Sequence, residues 1–132
     1  MNDMLCEELT HKIIGCAMKV HSALGPGLLE SAYDACLEHD LGRAGLRFQR
    51  QVPLRICYDG VVLEAGYRLD LVVEDQIVLE LKSVESVLPI HKAQLISYLK
   101  LGSYPVGLLI NFNIEHLRDG IHRLYRPAES KM

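Results

Sequence analysis

Tyr67-Arg68-Leu69-Asp70-Leu71-Val72-Val73-Glu74-Asp75-Gln76-Ile77-Val78-Leu79-Glu80-Leu81-Lys82 reads as two apolar strands broken by a polar turn. With Glu74, Asp75 and Gln76 as the loop, Val73 faces Ile77, Leu71 faces Leu79 and Asp70 faces Glu80. Side chains alternate across a sheet. One face then carries Leu69, Leu71, Val73, Ile77, Leu79 and Leu81, all apolar. The other carries Asp70, Glu80 and Lys82 beside Val72 and Val78. A two-residue loop would put Asp70 and Glu80 on opposite faces and spoil this segregation, so the three-residue loop is predicted.

On the N-terminal side, Val52, Leu54 and Ile56 alternate with Pro53, Arg55 and Cys57 as a strand, and Asp59-Gly60 is a hairpin signal. The following strand runs from Val61 to Val73, interrupted near Gly66. Further upstream, Leu5, Leu9, Ile13, Cys16, Ala17 and Val20 have helical spacing from Asn2 to His21. Gly25-Pro26-Gly27 ends that helix and starts a second, which runs to Leu41 with Leu29, Ala32, Cys36 and Leu37 as its buried stripe. On the C-terminal side the third strand spans Ile77–Val84. Pro89 opens a helix to Leu101, with Ile90, Leu95, Ile96 and Leu99 inward. Pro105 to Phe112 is a nearly continuous apolar run, suited to a strand buried on both faces. Ile121–Tyr125 is a short last strand. The order predicts an α/β fold, an α/β/α sandwich around a central mixed sheet.

The 132 residues suit one domain over 1–132 with a core of its own. Hydrophobic residues at 49% and charged residues at 23% exclude disordered, collagenous and coiled-coil classes. No apolar run is long enough to span a bilayer. The acidic Met1-Asn2-Asp3-Met4 start lacks the basic region of a signal peptide, which predicts a cytoplasmic protein with no membrane partner. Cys6, Cys16, Cys36 and Cys57 contain no C-x-x-C pair, so free thiols rather than a zinc site are expected. The net charge of −3 is not the footprint of nucleic-acid binding through bulk positive charge. It leaves room for an acidic site that meets phosphate through a metal.

Two carboxylates opposite each other on neighbouring strands repel, and a cation between them relieves this. Oxygen ligands of this kind suit Mg2+ or Mn2+. Lys82, two residues from Glu80, would add a positive charge beside the metal. Such a site can orient water and stabilise charge on a phosphate. The structural alternative is a salt-bridged surface hairpin, and the apolar strands around the charges count against it.

The Asp70…Glu80-Leu81-Lys82 pattern resembles that of the PD-(D/E)XK nuclease superfamily, with its restriction endonuclease-like core. Gly27-Leu28-Leu29-Glu30-Ser31-Ala32-Tyr33 resembles the signature of the bacterial GxxExxY proteins within it. Val20-His21, Glu80-Leu81-Lys82-Ser83-Val84 and the stretch from His91 to Leu99 extend the likeness over roughly Ile13 to Phe112. The resemblance implies Asp70 and Glu80 as metal-binding carboxylates, Lys82 as the catalytic lysine and Glu30 as a further metal ligand. It also implies Gln94 and Tyr98, the helical Q-x-x-x-Y, near the site and the substrate backbone. Leu69-Asp70 stands where the superfamily's name has Pro-Asp.

The residues allow plainer roles as well. Glu30 would suit the positive end of its own helix. Tyr33, one turn on, reads as a half-buried support. His91, Gln94 and Tyr98 share one helix face, with His91 a peripheral contact, and His21 could cap its own helix. Arg43, Arg47, Arg50 and Arg55 are either a phosphate footprint or a solvated strand edge. The implied activity is Mg2+-dependent phosphodiester hydrolysis of nucleic acid, with DNA as the expected partner. The alternative is a catalytically inactive module that binds nucleic acid or protein on the same fold. A third reading is a homodimer or a subunit of a larger complex.

Overall fold

The computed structural model describes the backbone of residues 3–128 and the side chains of these except 3–5 and 65. The expected helix start at Asn2 and the inward Leu5 lie outside the described residues. Helices α1 (Asp3–Leu24) and α2 (Glu30–Arg43) precede strands β1 (Phe48–Tyr58), β2 (Val61–Val73) and β3 (Ile77–Lys82). Helix α3 (Pro89–Gly102), strand β4 (Val106–Asn111), a 3-10 turn (Leu117–Gly120) and strand β5 (Ile121–Tyr125) complete the chain. Among the described residues no helix is long and apolar enough to cross a membrane.

The five strands lie in chain order. All neighbours are antiparallel except β3 and β4, which are parallel from Ile77–Val106 to Lys82–Asn111. A parallel pair needs a crossover connection, and α3 supplies it. One core lies under α1 and α2, where Leu9, Ile13, Ala17, Val20, Tyr33 and Leu37 meet Leu71, Leu79, Leu108 and Phe112. A second lies under α3, where Leu95 and Leu99 meet Leu54, Leu69, Val72, Val78 and Leu109. This is the expected α/β/α sandwich. All of β4 is buried, as its apolar run requires.

The differences from expectation have local causes. Helix α2 begins at Glu30 rather than at the glycine turn, because Gly25 and Gly27 take φ of +70° and +98°. Its buried stripe is therefore Tyr33, Leu37 and Leu41, and Leu29 is 77% exposed. Tyr33 fixes the turn. Its hydroxyl donates to the Gly25 carbonyl (2.6 Å) and accepts from the Leu28 N–H (3.1 Å), while its ring stacks on Phe112 at 4.4 Å. On α3, Leu95 and Leu99 face inward but Ile90 is 57% exposed. Strand β3 stops at Lys82 because the next residues are held elsewhere. The Val84 N–H donates to Asn111 Oδ1 (3.0 Å) and the Ser83 hydroxyl donates to the Leu28 carbonyl (2.5 Å). The β1–β2 ladder slips between Pro53 and Arg55, and Gly66 in the opposing strand has φ +79°. That is the interruption expected near Gly66.

Tyr33→Phe keeps the ring stack and strips the Gly25 carbonyl and the Leu28 N–H of their partner. A loss of about 1–3 kcal/mol is expected, read from the denaturant midpoint at unchanged slope. Wild-type stability would show that the hydroxyl does not hold the turn.

Candidate metal centre at the parting of two strands

The turn is the three-residue loop expected. Val73 pairs with Ile77, Val72 with Val78 and Leu71 with Leu79. The ladder then ends, and side chains replace backbone carbonyls. The Asp70 N–H donates to Glu80 Oε2 (3.0 Å), and the Leu81 N–H donates to Asp70 Oδ2 (2.9 Å). Each carboxylate thus reaches sideways to the other strand instead of standing on one face. Gln51, between the rungs Arg50–Leu71 and Val52–Leu69, takes φ +51°, so β1 is bent here too. The strict alternation expected for β2 fails at this point. Leu69 is fully buried, but among the α3-side residues with Val72 and Val78.

Asp70 lines a hollow of about 200 Å3 with Glu30, Ser31, Asp34, Gln51 and Leu81. Glu30 is exposed at the first turn of α2, and its Oε2 accepts from the Ser83 N–H at 3.3 Å. This bond ties the start of α2 to the end of β3. Lys82 is half-buried at the last β3–β4 rung. On α3, Tyr98 is half-buried and Gln94 exposed one turn before it. His91 Nδ1 accepts the Leu88 N–H (3.0 Å), so His91 caps α3. His21 does not cap its own helix through its ring: Nε2 lies 2.7 Å from the Ile114 carbonyl oxygen. Tyr33 is wholly buried with its hydroxyl bonded on both sides, which leaves it a support of the Glu30 turn. Of the arginines, Arg47 pairs with Glu74, Arg50 with Glu38 and Arg55 with Glu64. Local pairing of this kind supports the solvated-edge reading. Cys16, Cys36 and Cys57 are free thiols, and Cys6 Sγ donates to Gln76 Oε1 (3.4 Å).

Burial dominates the electrostatics. It pushes the Glu80 carboxyl up to about 8, and the charge of Asp70 adds to the effect. Asp70 is raised by burial and by Glu30, against the Leu81 N–H and the charge of Lys82. Burial raises Tyr98, and next in weight comes the charge of Glu80. Asp34 is pushed to about 7 by burial, by a hydrogen bond and charge from Glu38, and by Asp70. Its Oδ1 is buried without a partner.

Sequence reasoning passed over three of these residues. Asp34 follows Glu30 at i+4, a spacing that would have placed it on the same face. Tyr67, in the decisive stretch itself, brings its ring centroid to 5.7 Å from that of Tyr98. Asn111 ends the apolar run as a buried polar group, and its two side-chain ends bond the Val84 N–H and carbonyl.

As they stand, no three His, Cys, Asp or Glu side chains among the described residues converge as metal ligands. The chemistry of the donor set still fits a hard divalent cation. Two carboxylates held above their ordinary range, and a buried carboxylate oxygen without a partner, are groups that a cation would satisfy.

A model of the PD-(D/E)XK nuclease superfamily matches residues 7–124. Among solved structures, the crystal structure of SSO0001 is similar at 25% identity and a TM-score of 0.56. The likeness covers 76% of this chain and 52% of that one, so the chain spans about half the length of that structure. Among curated proteins none matches the chain.

The raised Glu80 carboxyl sets a pH dependence. Between its ordinary 4.5 and about 8 the folded chain holds a proton that the unfolded chain releases. Stability from this group is therefore full below about 4.5 and is lost as pH rises through about 8. Glu80→Gln is expected to flatten this slope and to be more stable than wild type above pH 8, measured by denaturant unfolding across pH. An unchanged slope would contradict the assignment.

Proposed function

The chain belongs to the PD-(D/E)XK nuclease superfamily, and from that premise we propose that it hydrolyses phosphodiester bonds of nucleic acid, DNA in particular, with Mg2+ or Mn2+. Within the superfamily we assign it to the GxxExxY proteins on the Gly27 to Tyr33 signature. We take its place of action to be the cytoplasm, which the free thiols of Cys16, Cys36 and Cys57 suit. The observation that carries the reading is the Asp70–Glu80 pair across the parting strands, with Lys82 two residues further along β3.

Asp70 and Glu80 would hold the cation through the oxygens not bonded to backbone, Oδ1 and Oε1. Glu30, tethered to Ser83 at the rim, would be the additional ligand. A bound divalent cation supplies positive charge against the phosphate and makes a water easier to deprotonate. Lys82 orients the attacking water and balances the negative charge that builds on the phosphate. The Phe112 N–H donates to the Lys82 carbonyl (2.9 Å), which fixes the backbone from which this side chain projects. Gln94 and Tyr98 lie one helical turn apart on α3 and would meet the substrate backbone.

The test is cleavage of a DNA and RNA panel with Mg2+ or Mn2+, with Lys82→Ala and Asp70→Ala beside wild type. Wild type is expected to cut. Lys82→Ala should bind Mn2+ normally and cut roughly 100-fold more slowly or worse, and Asp70→Ala should lose Mn2+. Equal cleavage by Lys82→Ala would remove it from the mechanism. Mn2+ binding without any cleavage would favour the non-catalytic module.

A further inference from the structure

Tyr67 lies within the slip of the β1–β2 ladder, between the rungs Pro53–Arg68 and Arg55–Glu64. Gly66 before it takes φ +79°, and a bulge of this kind re-aims neighbouring side chains. The Tyr67 ring comes to lie beside Tyr98 of α3, with centroids 5.7 Å apart and planes tilted by 44°. Tyr98 touches the α3-side core, whereas Tyr67 stays 49% exposed. The irregularity in the ladder therefore presents an aromatic face to solvent. Tyr67 lies on β2 three residues before Asp70, and the charges of Glu80 and Asp70 both act on Tyr98. The stacked ring pair of Tyr33 and Phe112 is buried, and the chain has no tryptophan.

We infer that the Tyr67–Tyr98 pair is a stacking platform for an unpaired nucleobase beside the Asp70–Glu80 centre, which makes single-stranded or frayed nucleic acid the preferred substrate class. The inference rests on the nuclease reading above. Every base presents a π face to an aromatic ring, so such a platform is indifferent to sequence. Inside a duplex those faces are covered by neighbouring bases, and a base must be unstacked to reach the platform. A free strand or an open end offers it directly. Stacking the base on Tyr67 would position the adjoining phosphate toward the two carboxylates.

Tyr67→Trp places the chain's one tryptophan on the platform. In the Lys82→Ala background with Mg2+, to suppress turnover while keeping the metal, this variant is titrated with a labelled oligo(dT) and with an abasic strand of equal length. Label anisotropy reports binding and tryptophan emission reports stacking. Both strands are expected to bind, and oligo(dT) alone should quench. In the same anisotropy assay Tyr67→Ala is expected to lose roughly 5- to 150-fold in affinity for oligo(dT), with the abasic strand unaffected. Tyr67→Phe should restore the affinity, because stacking needs the ring and not the hydroxyl. Equal quenching by both strands, binding without quenching, or equal losses on both strands would overturn the platform and leave the nuclease reading standing. Failure of both strands to bind would overturn both.

Discussion

Two carboxylates are held where two strands part, and much of the surrounding structure follows from that. Asp70 and Glu80 each cap a backbone N–H of the opposite strand, so the ladder can open without orphaned donors. Burial raises both groups above the ordinary carboxylate range. An arrangement of this kind is unfavourable in a bare hairpin, and here it is braced on both sides. The apolar rungs from Leu71–Leu79 to Val73–Ile77 hold the strands together below the opening. The parallel ladder to β4 holds β3 straight as far as Lys82.

Around this opening the connections act as ties. Tyr33 closes the Gly25–Leu28 turn, Ser83 bonds both Leu28 and Glu30, and Asn111 clasps Val84. The N-terminus of α2 and the C-terminal ends of β3 and β4 are thereby fixed relative to one another. Glu30 is thus tethered to the residue that follows β3, at the rim of the hollow that Asp70 lines. The proposed centre would benefit directly, because charge stabilisation of a reacting phosphate depends on groups already in position.

The parts of this design legible in sequence were those written in short-range periodicity. Alternation around Glu74-Asp75-Gln76 gave the register of β2 and β3, and with it the Asp70–Glu80 opposition. The uniform apolar run gave β4, and Pro89 gave the start of α3. What stayed hidden depended on contacts between distant segments. The start of α2 is decided by the Tyr33 hydroxyl and two left-handed glycines, so a stripe read from helical spacing alone included the exposed Leu29 and missed Tyr33 and Leu41. The in-plane turn of the carboxylates, and the transfer of Leu69 to the other core, follow from the strands parting, which strict alternation cannot express. The pairing of Arg47, Arg50 and Arg55 with local glutamates likewise needs the fold. The family motifs supplied a role for Glu30 that its spacing could not, whereas the spacing of Lys82 from Glu80 already suggested a positive charge beside a metal.

The central claim is that the opening is strained by the burial of two carboxylates and is relieved by a divalent cation. Thermal melting at pH 8, with and without Mn2+, measures this most directly when wild type is compared with the Asp70→Asn, Glu80→Gln double variant. The account predicts that Mn2+ raises the wild-type melting temperature. It also predicts that the double variant melts above metal-free wild type and ignores Mn2+. A wild type indifferent to Mn2+, or a double variant that responds equally, would contradict it.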